Sequence, residues 1–496
     1  MAEQDIIPGK SDEIATSKDL QNKEHKSDGL ILAIACVAQF MVVLDVSVVN
    51  VALPAIKYSL GFSTLNLQWV INAYALTFAG FLLLGGRAAD IFGRRAIFLL
   101  GLGIFTGASL VGGFSQTQGE LIAARAIQGL GGAILSPATL TIIITTFTTP
   151  GGRAKALGLW SAVAAGGGAA GAMVGGILTD LVSWRWILFV NVPIGILAFV
   201  GARIIIHELK NVHADKHLDI LGAILITTGL SSIVYGIVQT DRYAWTSWQT
   251  VTAIGVGVVL IATFVFVEQK VAVSPLVPLK LLKSRTLIAS NLVMMFMSAA
   301  AFAMWFFVSL YLQTVLGFSP LKTGFAFLPQ TAAIAIAATL SSRLLTSIGP
   351  KPFLIIGPII TAIGFVWITG LSPHESYLSI VLIPGVMITF GLGFTFAPVA
   401  AAATAGVEPR FAGLASGLVN TSRQVGGALG LAALATIASE RTASLMSHSP
   451  SHSQAFLASS LTSGWSRAFF VGGFIAILGA FSALAIPKFK KPAAVH

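Results

Sequence analysis

GLILAIACVAQFMVVLDVSVVNVALPA, residues 29–55, is an unbroken apolar run in which Asp45 is the only charged side chain. A bilayer core about 30 Å thick is crossed by roughly 20 apolar residues in α-helix, so the run is long enough to span a membrane and too apolar for water. The rest of the chain shares that solvent: of 496 residues 55% are hydrophobic and 10% charged, with a mean hydropathy of +0.86. No ordinary soluble domain has that composition.

Working outward, about fourteen such runs separate at polar or turn residues: 29–55, 67–88, 95–115, 119–147, 153–178, 185–207, 217–239, 248–268, 286–315, 323–346, 352–370, 378–404, 410–437 and 465–487. The expected fold is an all-α polytopic membrane protein. The 51 glycines suit close helix contact in lipid. The single cysteine, Cys36, excludes a disulfide framework and a thiolate metal site. His207, His213 and His217 share a short solvated loop with no cysteine, and no GxxxxGK[ST] occurs, so neither metal nor nucleotide is expected and no cofactor is called for.

The net charge of +11 raises nucleic acid as a partner, but the placement of the cations speaks for topology. With the N-terminus inside, the cytoplasmic loops hold Arg87, Arg94, Arg95, Arg153, Lys155, Arg203, Lys210, Lys216, Lys270, Lys280, Lys283, Arg285, Arg343, Lys351 and Arg410, and the outer loops only Lys57, Arg185, Arg242, Lys322, Arg441 and Arg467. Residues 1–28 are polar, with no apolar core or cleavage site, and read as a cytoplasmic tail; residues 488–496, with Lys488, Lys490 and Lys491, read as another. Both termini are therefore expected in the cytoplasm, with the protein in the cell membrane.

A weak repeat offset by roughly 256 residues pairs the turn at Gly93 with that at Gly349, and the span opening at Arg153 with that at Arg410. Two parallel six-helix halves follow, residues 29–207 and 285–487, with residues 208–284 contributing two inserted spans (217–239 and 248–268). Such duplication suits alternating access around a midplane site.

Asp45 lies roughly 24 Å from the inner membrane edge at about 1.5 Å per residue. A carboxylate at that depth is a proton-coupling candidate, because desolvation brings it within reach of protonation; the bland alternative is a structural partner for a cation. Arg125, in LIAARAIQGLGGA (residues 121–133), enters from outside to a matching depth, roughly 10 Å below the outer edge. It requires partners, and Asp45, Gln128 and backbone carbonyls are the candidates. GGRAADIFGRR (residues 85–95) carries more than topology needs: Gly86, Asp90 and Gly93 beside Arg94 and Arg95 form a candidate cytoplasmic gate in which Asp90 hydrogen-bonds the arginines. The stretch from Gly166 to Gly176 matches GxGxxG by chance, with no strand before it, and is read as a packing face.

Met294, Met297, Trp305 and Tyr311, with Trp69, Asn72 and Tyr74, form an aromatic and methionine stripe that is either ordinary core or an adaptable lining for apolar ligands, with Asn72, Gln313 or Gln330 as polar handles and Gln128 as a further lining candidate. Arg423 is another deep charge, either paired or facing a substrate.

At these motifs the chain resembles the major facilitator superfamily, and in particular its fourteen-span drug:proton antiporter branch. The residues that carry the resemblance are LDVSVVNVALP (residues 44–54), GGRAADIFGRR, Arg125 with Gln128 and Gly129, and WRWILFVNVPIG (residues 184–195). The resemblance implies proton coupling at Asp45 and Arg125, an inner gate at Asp90, Arg94 and Arg95, and no enzymatic activity. Ile91 stands where the loop motif usually has a basic residue, and Gly171-Ala172 where the fifth-span motif has Gly-Pro. Proton-driven export of lipophilic drugs is the resulting expectation, with small lipophilic substrates, protons and the bilayer as partners and no nucleic acid. A transporter of one specific metabolite or natural product, or a non-transporting membrane sensor, are the alternatives.

Overall fold

The computed structural model describes residues 10–206, 218–241, 243–273, 275–278, 280–405, 407–408, 411–448 and 453–487. His207, Lys210, His213, Lys216, His217, Arg242, Arg410, Lys488, Lys490 and Lys491, on which expectations above rest, lie outside them.

Every regular element among the described residues is helical. The N-terminal half comprises α1 (Lys10–Leu60), α2 (Thr64–Leu67), α3 (Trp69–Phe92), α4 (Arg94–Gly113), α5 (Gln118–Thr146), α6 (Pro150–Leu181), α7 (Trp186–Phe189) and α8 (Asn191–Ile205). The insert supplies α9 (Ile220–Val238) and α10 (Trp248–Lys270). The C-terminal half holds α11 (Arg285–Leu310), α12 (Pro320–Ala326), α13 (Leu328–Ile348), α14 (Pro350–Ile368), α15 (Ile383–Thr404), α16 (Ala412–Ser447) and α17 (Gln454–Leu484). Single π turns at Tyr311–Val315 and Leu378–Leu382 adjoin α11 and α15.

Three runs expected to be continuous are broken. The span over 67–88 gains a separate first turn, α2, capped by the Ser63 hydroxyl accepting from Asn66 N. The spans over 185–207 and 323–346 restart at Val190 and Phe327, just before Pro193 and Pro329, and proline without its N–H sits naturally in a helix's first turn. The polar segment 1–28 is helical from Lys10 and continuous with the first span.

Among the described residues, thirteen helices are long and apolar enough to cross a membrane. α16, at 36 residues, is long enough but less apolar. It packs against α3, α9, α11 and α17, so it needs little lipid-facing surface and carries Asn420, Arg423, Gln424, Glu440 and Arg441. α10 is the opposite case: it touches α9 through Gly229 and Gly257 and presents Val251, Val258, Val259 and Phe266 outward.

The turns at Gly93 and Gly349 share a positive-φ backbone. Gly93, between α3 and α4, has φ 100°, and Gly349, between α13 and α14, has φ 80°. Both open the next helix from a conformation that a Cβ disfavours. 

The cores show how the halves meet. One lies wholly in the N-terminal half, around Phe98, Leu102, Phe105 and Leu135. The largest runs through the C-terminal half and continues into the last turns of α1, Val48 to Ile56, and into Trp184 and Ile187. The halves are thus fused at the end where α1 finishes. There Ser309 Oγ donates to Asn50 O (2.6 Å), and Gln313 Nε2 donates to Val51 O (2.8 Å). A Cβ on Gly176 would fall 2.7 Å from Pro320 O, and one on Gly324 would fall 2.5 Å from Ala172 O, so α6 and α12 touch backbone to backbone. α6 stays one unbroken helix through Gly171 and Ala172, where Ser47 Oγ donates to Gly168 O (2.7 Å).

Candidate functional site

The site is built on α5. A capping box fixes its start: Thr117 Oγ1 accepts from Glu120 N and the Glu120 carboxylate accepts from Thr117 N, both at 3.3 Å. Arg125 then points inward one and a half turns on, with Gln128 one turn further along the same face. Close packing holds α5 in place: a Cβ on Gly129 would fall 2.3 Å from Tyr74 O, and one on Gly131 would fall 2.5 Å from Phe105 N.

Arg125 Nη1 donates to Asp45 Oδ2 at 2.5 Å and to Gln128 Oε1 at 2.6 Å, and Nε donates to Val70 O at 3.0 Å. All three partner types expected from the sequence are present. Asp45 is 0% exposed and Arg125 2%. Asp45 Oδ1 accepts from Gln128 Nε2 (2.7 Å) and Asn191 Nδ2 (3.0 Å). Gln128 Nε2 also reaches Ser109 Oγ at 2.7 Å, and Asn191 Nδ2 approaches it at 3.4 Å. The Tyr74 ring lies under the guanidinium at 4.6 Å.

The result is a buried network drawn from α1, α3, α4, α5 and α8. The carboxylate's charge is matched by one guanidinium and dispersed over two amides. Arg125 and Asp45 are thus each other's charged partner in a site closed to solvent.

Ser109 and Asn191 escaped the sequence reading. Asn191 had a signal, a lone amide in the apolar WRWILFVNVPIG. Ser109 had none, since serine is common in membrane helices.

The other candidates separate. Met294, Met297 and Tyr311 are packed into the C-terminal core, the ordinary reading of the stripe, and Tyr311 Oη donates to Ser372 O at 2.8 Å. Trp305 packs against Phe327, ring centroids 5.1 Å apart. Trp69 packs against the cluster joining α3, α9 and α16. Asn72 Nδ2 donates to Gln68 Oε1 at 3.3 Å, and Gln330 is fully buried beside Gly385. Gln313 serves the contact between the halves. Arg423 reaches the neighbourhood of Tyr74 from α16.

In the last turns of α3, the arginines closest electrostatically to Asp90 are Arg87 of the same helix and Arg94, the first residue of α4. No hydrogen bond among the described residues joins Asp90 to Arg94 or Arg95. Instead Arg95 Nη2 donates to Arg203 O at the end of α8 (2.6 Å). Gly86 faces Pro137 of α5 at van der Waals distance.

An all-helical membrane protein with a buried acid–base network between its helices has the architecture of a membrane transporter. The chain belongs to the major facilitator superfamily, whose family model matches residues 35–431, and it is a multi-pass membrane protein. It is 41% identical to the cephamycin export protein CmcT of Amycolatopsis lactamdurans over 423 residues, 85% of this chain and 87% of that one. It is also 41% identical to the puromycin resistance protein pur8 of Streptomyces alboniger over 84% of this chain and 83% of that one. A tetracenomycin C resistance and export protein of Streptomyces glaucescens is 32% identical over 83% of this chain and 76% of that one. Among solved structures, a bacterial homologue of the human lysosomal transporter Spinster shares the fold with a TM-score of 0.65 at 16% identity, covering 93% of this chain and 98% of that one.

Proposed function

We propose that this protein exports lipophilic drugs or antibiotics across the cell membrane in exchange for protons. The observation that carries the reading is the buried Asp45–Arg125 pair, an acid wholly removed from solvent and held by Arg125 and Gln128 of α5 and Asn191 of α8. The relatives named for antibiotic export and resistance support the cargo class. In this reading the chain crosses the membrane fourteen times, α16 included, with both termini cytoplasmic and α9 and α10 inserted between the six-helix halves. The end at which α1 finishes is then extracellular. Because the halves are fused there, the conformation is closed to the outside and substrate enters from the cytoplasm. Asp45 takes up the proton, and the motif from Gly86 to Arg95 works the inner gate.

A narrower reading, a dedicated exporter of one natural product, is favoured by relatives each named for a single antibiotic. Energised inverted vesicles separate the two. Gradient-dependent transport of ethidium and unrelated dyes, lost with a protonophore and in Asp45→Asn, is the result expected for broad export. Transport of one antibiotic and no dye would establish the narrower cargo. Transport that persists in Asp45→Asn with an undiminished proton requirement would remove Asp45 from the coupling.

A further inference from the structure

Arg423 stands roughly 16 Å into α16, counted from Ala412 at about 1.5 Å per residue. Its neighbours tie that level to both halves: Thr421 Oγ1 donates to Ala79 O of α3 (3.4 Å), and Ser422 Oγ donates to Asn291 Oδ1 of α11 (2.8 Å). At this depth Arg423 nevertheless keeps accessible surface. A side chain that is deep and yet accessible lines a space between helices. Its guanidinium faces the Phe396 ring of α15 at 5.8 Å and lies within electrostatic reach of Tyr74 on α3.

No hydrogen bond and no ion pair among the described residues engages Arg423. An arginine inside a membrane protein is costly, and such residues pair with one another, with carbonyls, or with something transported. Tyr74 has the matching deficiency: its ring is occupied by Arg125, but its buried hydroxyl has no partner among the described residues. A cation from the C-terminal half and an unpartnered phenol from the N-terminal half thus stand at neighbouring levels of α16 and α3, where Thr421 meets Ala79. The nearest carboxylate network cannot supply an acceptor, because Asp45 already serves Arg125, Gln128 and Asn191. With that pair neutral, Arg423 contributes one net positive charge, beside an aromatic face.

We propose that Arg423 and the Tyr74 hydroxyl form the anchor for a single anionic group, a carboxylate, on an otherwise apolar substrate. The proposal rests on the export reading for its cargo but makes a binding claim of its own. Guanidinium offers a carboxylate two parallel donors, the phenol a third, and Phe396 an apolar wall for the attached skeleton. The site selects amphipathic monoanions over their neutral counterparts.

The full-length protein in nanodiscs is titrated with dansylglycine, a fluorescent monoanion, and with its neutral amide, following energy transfer from tryptophan. The wild type is expected to bind the acid at least 10-fold more tightly than the amide. Arg423→Gln should bring the two affinities together while the amide still binds, which shows that the variant is folded. Arg423→Lys should keep part of the preference, and Tyr74→Phe should weaken acid binding several-fold more than amide binding. Asp45→Asn should retain the preference for the acid. Equal wild-type affinities, or a preference that survives Arg423→Gln, overturns the anchor. Dansylglycine transport in inverted vesicles is scored separately: an acid preference in binding without any transport leaves the anchor standing and removes the export reading.

Discussion

Removing either member of the buried pair leaves the other in a site with no water to solvate it, and the geometry sets the size of the penalty. Arg125→Gln deletes the 2.5 Å guanidinium–carboxylate contact, but Asp45 keeps the amide donors of Gln128 and Asn191. The expected loss is about 3 kcal/mol, the lower end for breaking a buried pair. Asp45→Asn is worse, at about 4 kcal/mol: three donors then compete for one amide oxygen, and the new NH2 group faces donors only. The double variant replaces charge by two amides that can pair, so its loss should fall below the sum of the single losses by about 2–3 kcal/mol. Cys36, the single cysteine and only 5% exposed, supplies the assay. A thiol-reactive fluorogenic dye reports unfolding of α1 without any engineered label. Single variants melting well below the double is the expected order. Strictly additive losses, within about 0.5 kcal/mol, would refute the claim that this pair is energetically coupled.

Three further outcomes follow from the packing. Gly129→Ala forces a Cβ to within 2.3 Å of Tyr74 O, so α5 must shift from α3; a destabilisation of about 1–3 kcal/mol and a fall in transport are expected, measured by melting and vesicle uptake. Gly93→Ala and Gly349→Ala, at φ 100° and 80°, should each cost about 1–3 kcal/mol, and equal costs in the same melting assay would bear out the repeat. In a Cys36→Ala background, Asn50→Cys with Ser309→Cys places two thiols where the halves touch; oxidation should abolish transport and reductant restore it, whereas transport that persists with the disulfide formed would mean that this end never opens.

Much of the architecture follows from sequence alone because lipid imposes a simple rule: backbone groups must be satisfied within the helix, so apolar length reads directly as span. The depth of Asp45 and Arg125, and their need for each other, follow from the same rule combined with helical rise, and the repeat shows in glycines that no other residue replaces comfortably. Tertiary structure alone decided the rest. The stripe through Met297 and Tyr311 proved to be core, because periodicity cannot distinguish a helix face turned to its neighbours from one turned to a cavity. Asn191 reached the carboxylate only when α8 packed on α1, a contact 146 residues distant in the chain, and Ser109 joined the network through Gln128 and Asn191 when α4 packed on α5 and α8. α16, a long helix not apolar enough to count among the thirteen candidate spans, became legible as a packed element only once its neighbours replaced lipid around it. The isolation of Arg423 was likewise invisible in the chain, since a missing partner is a property of everything that surrounds a residue.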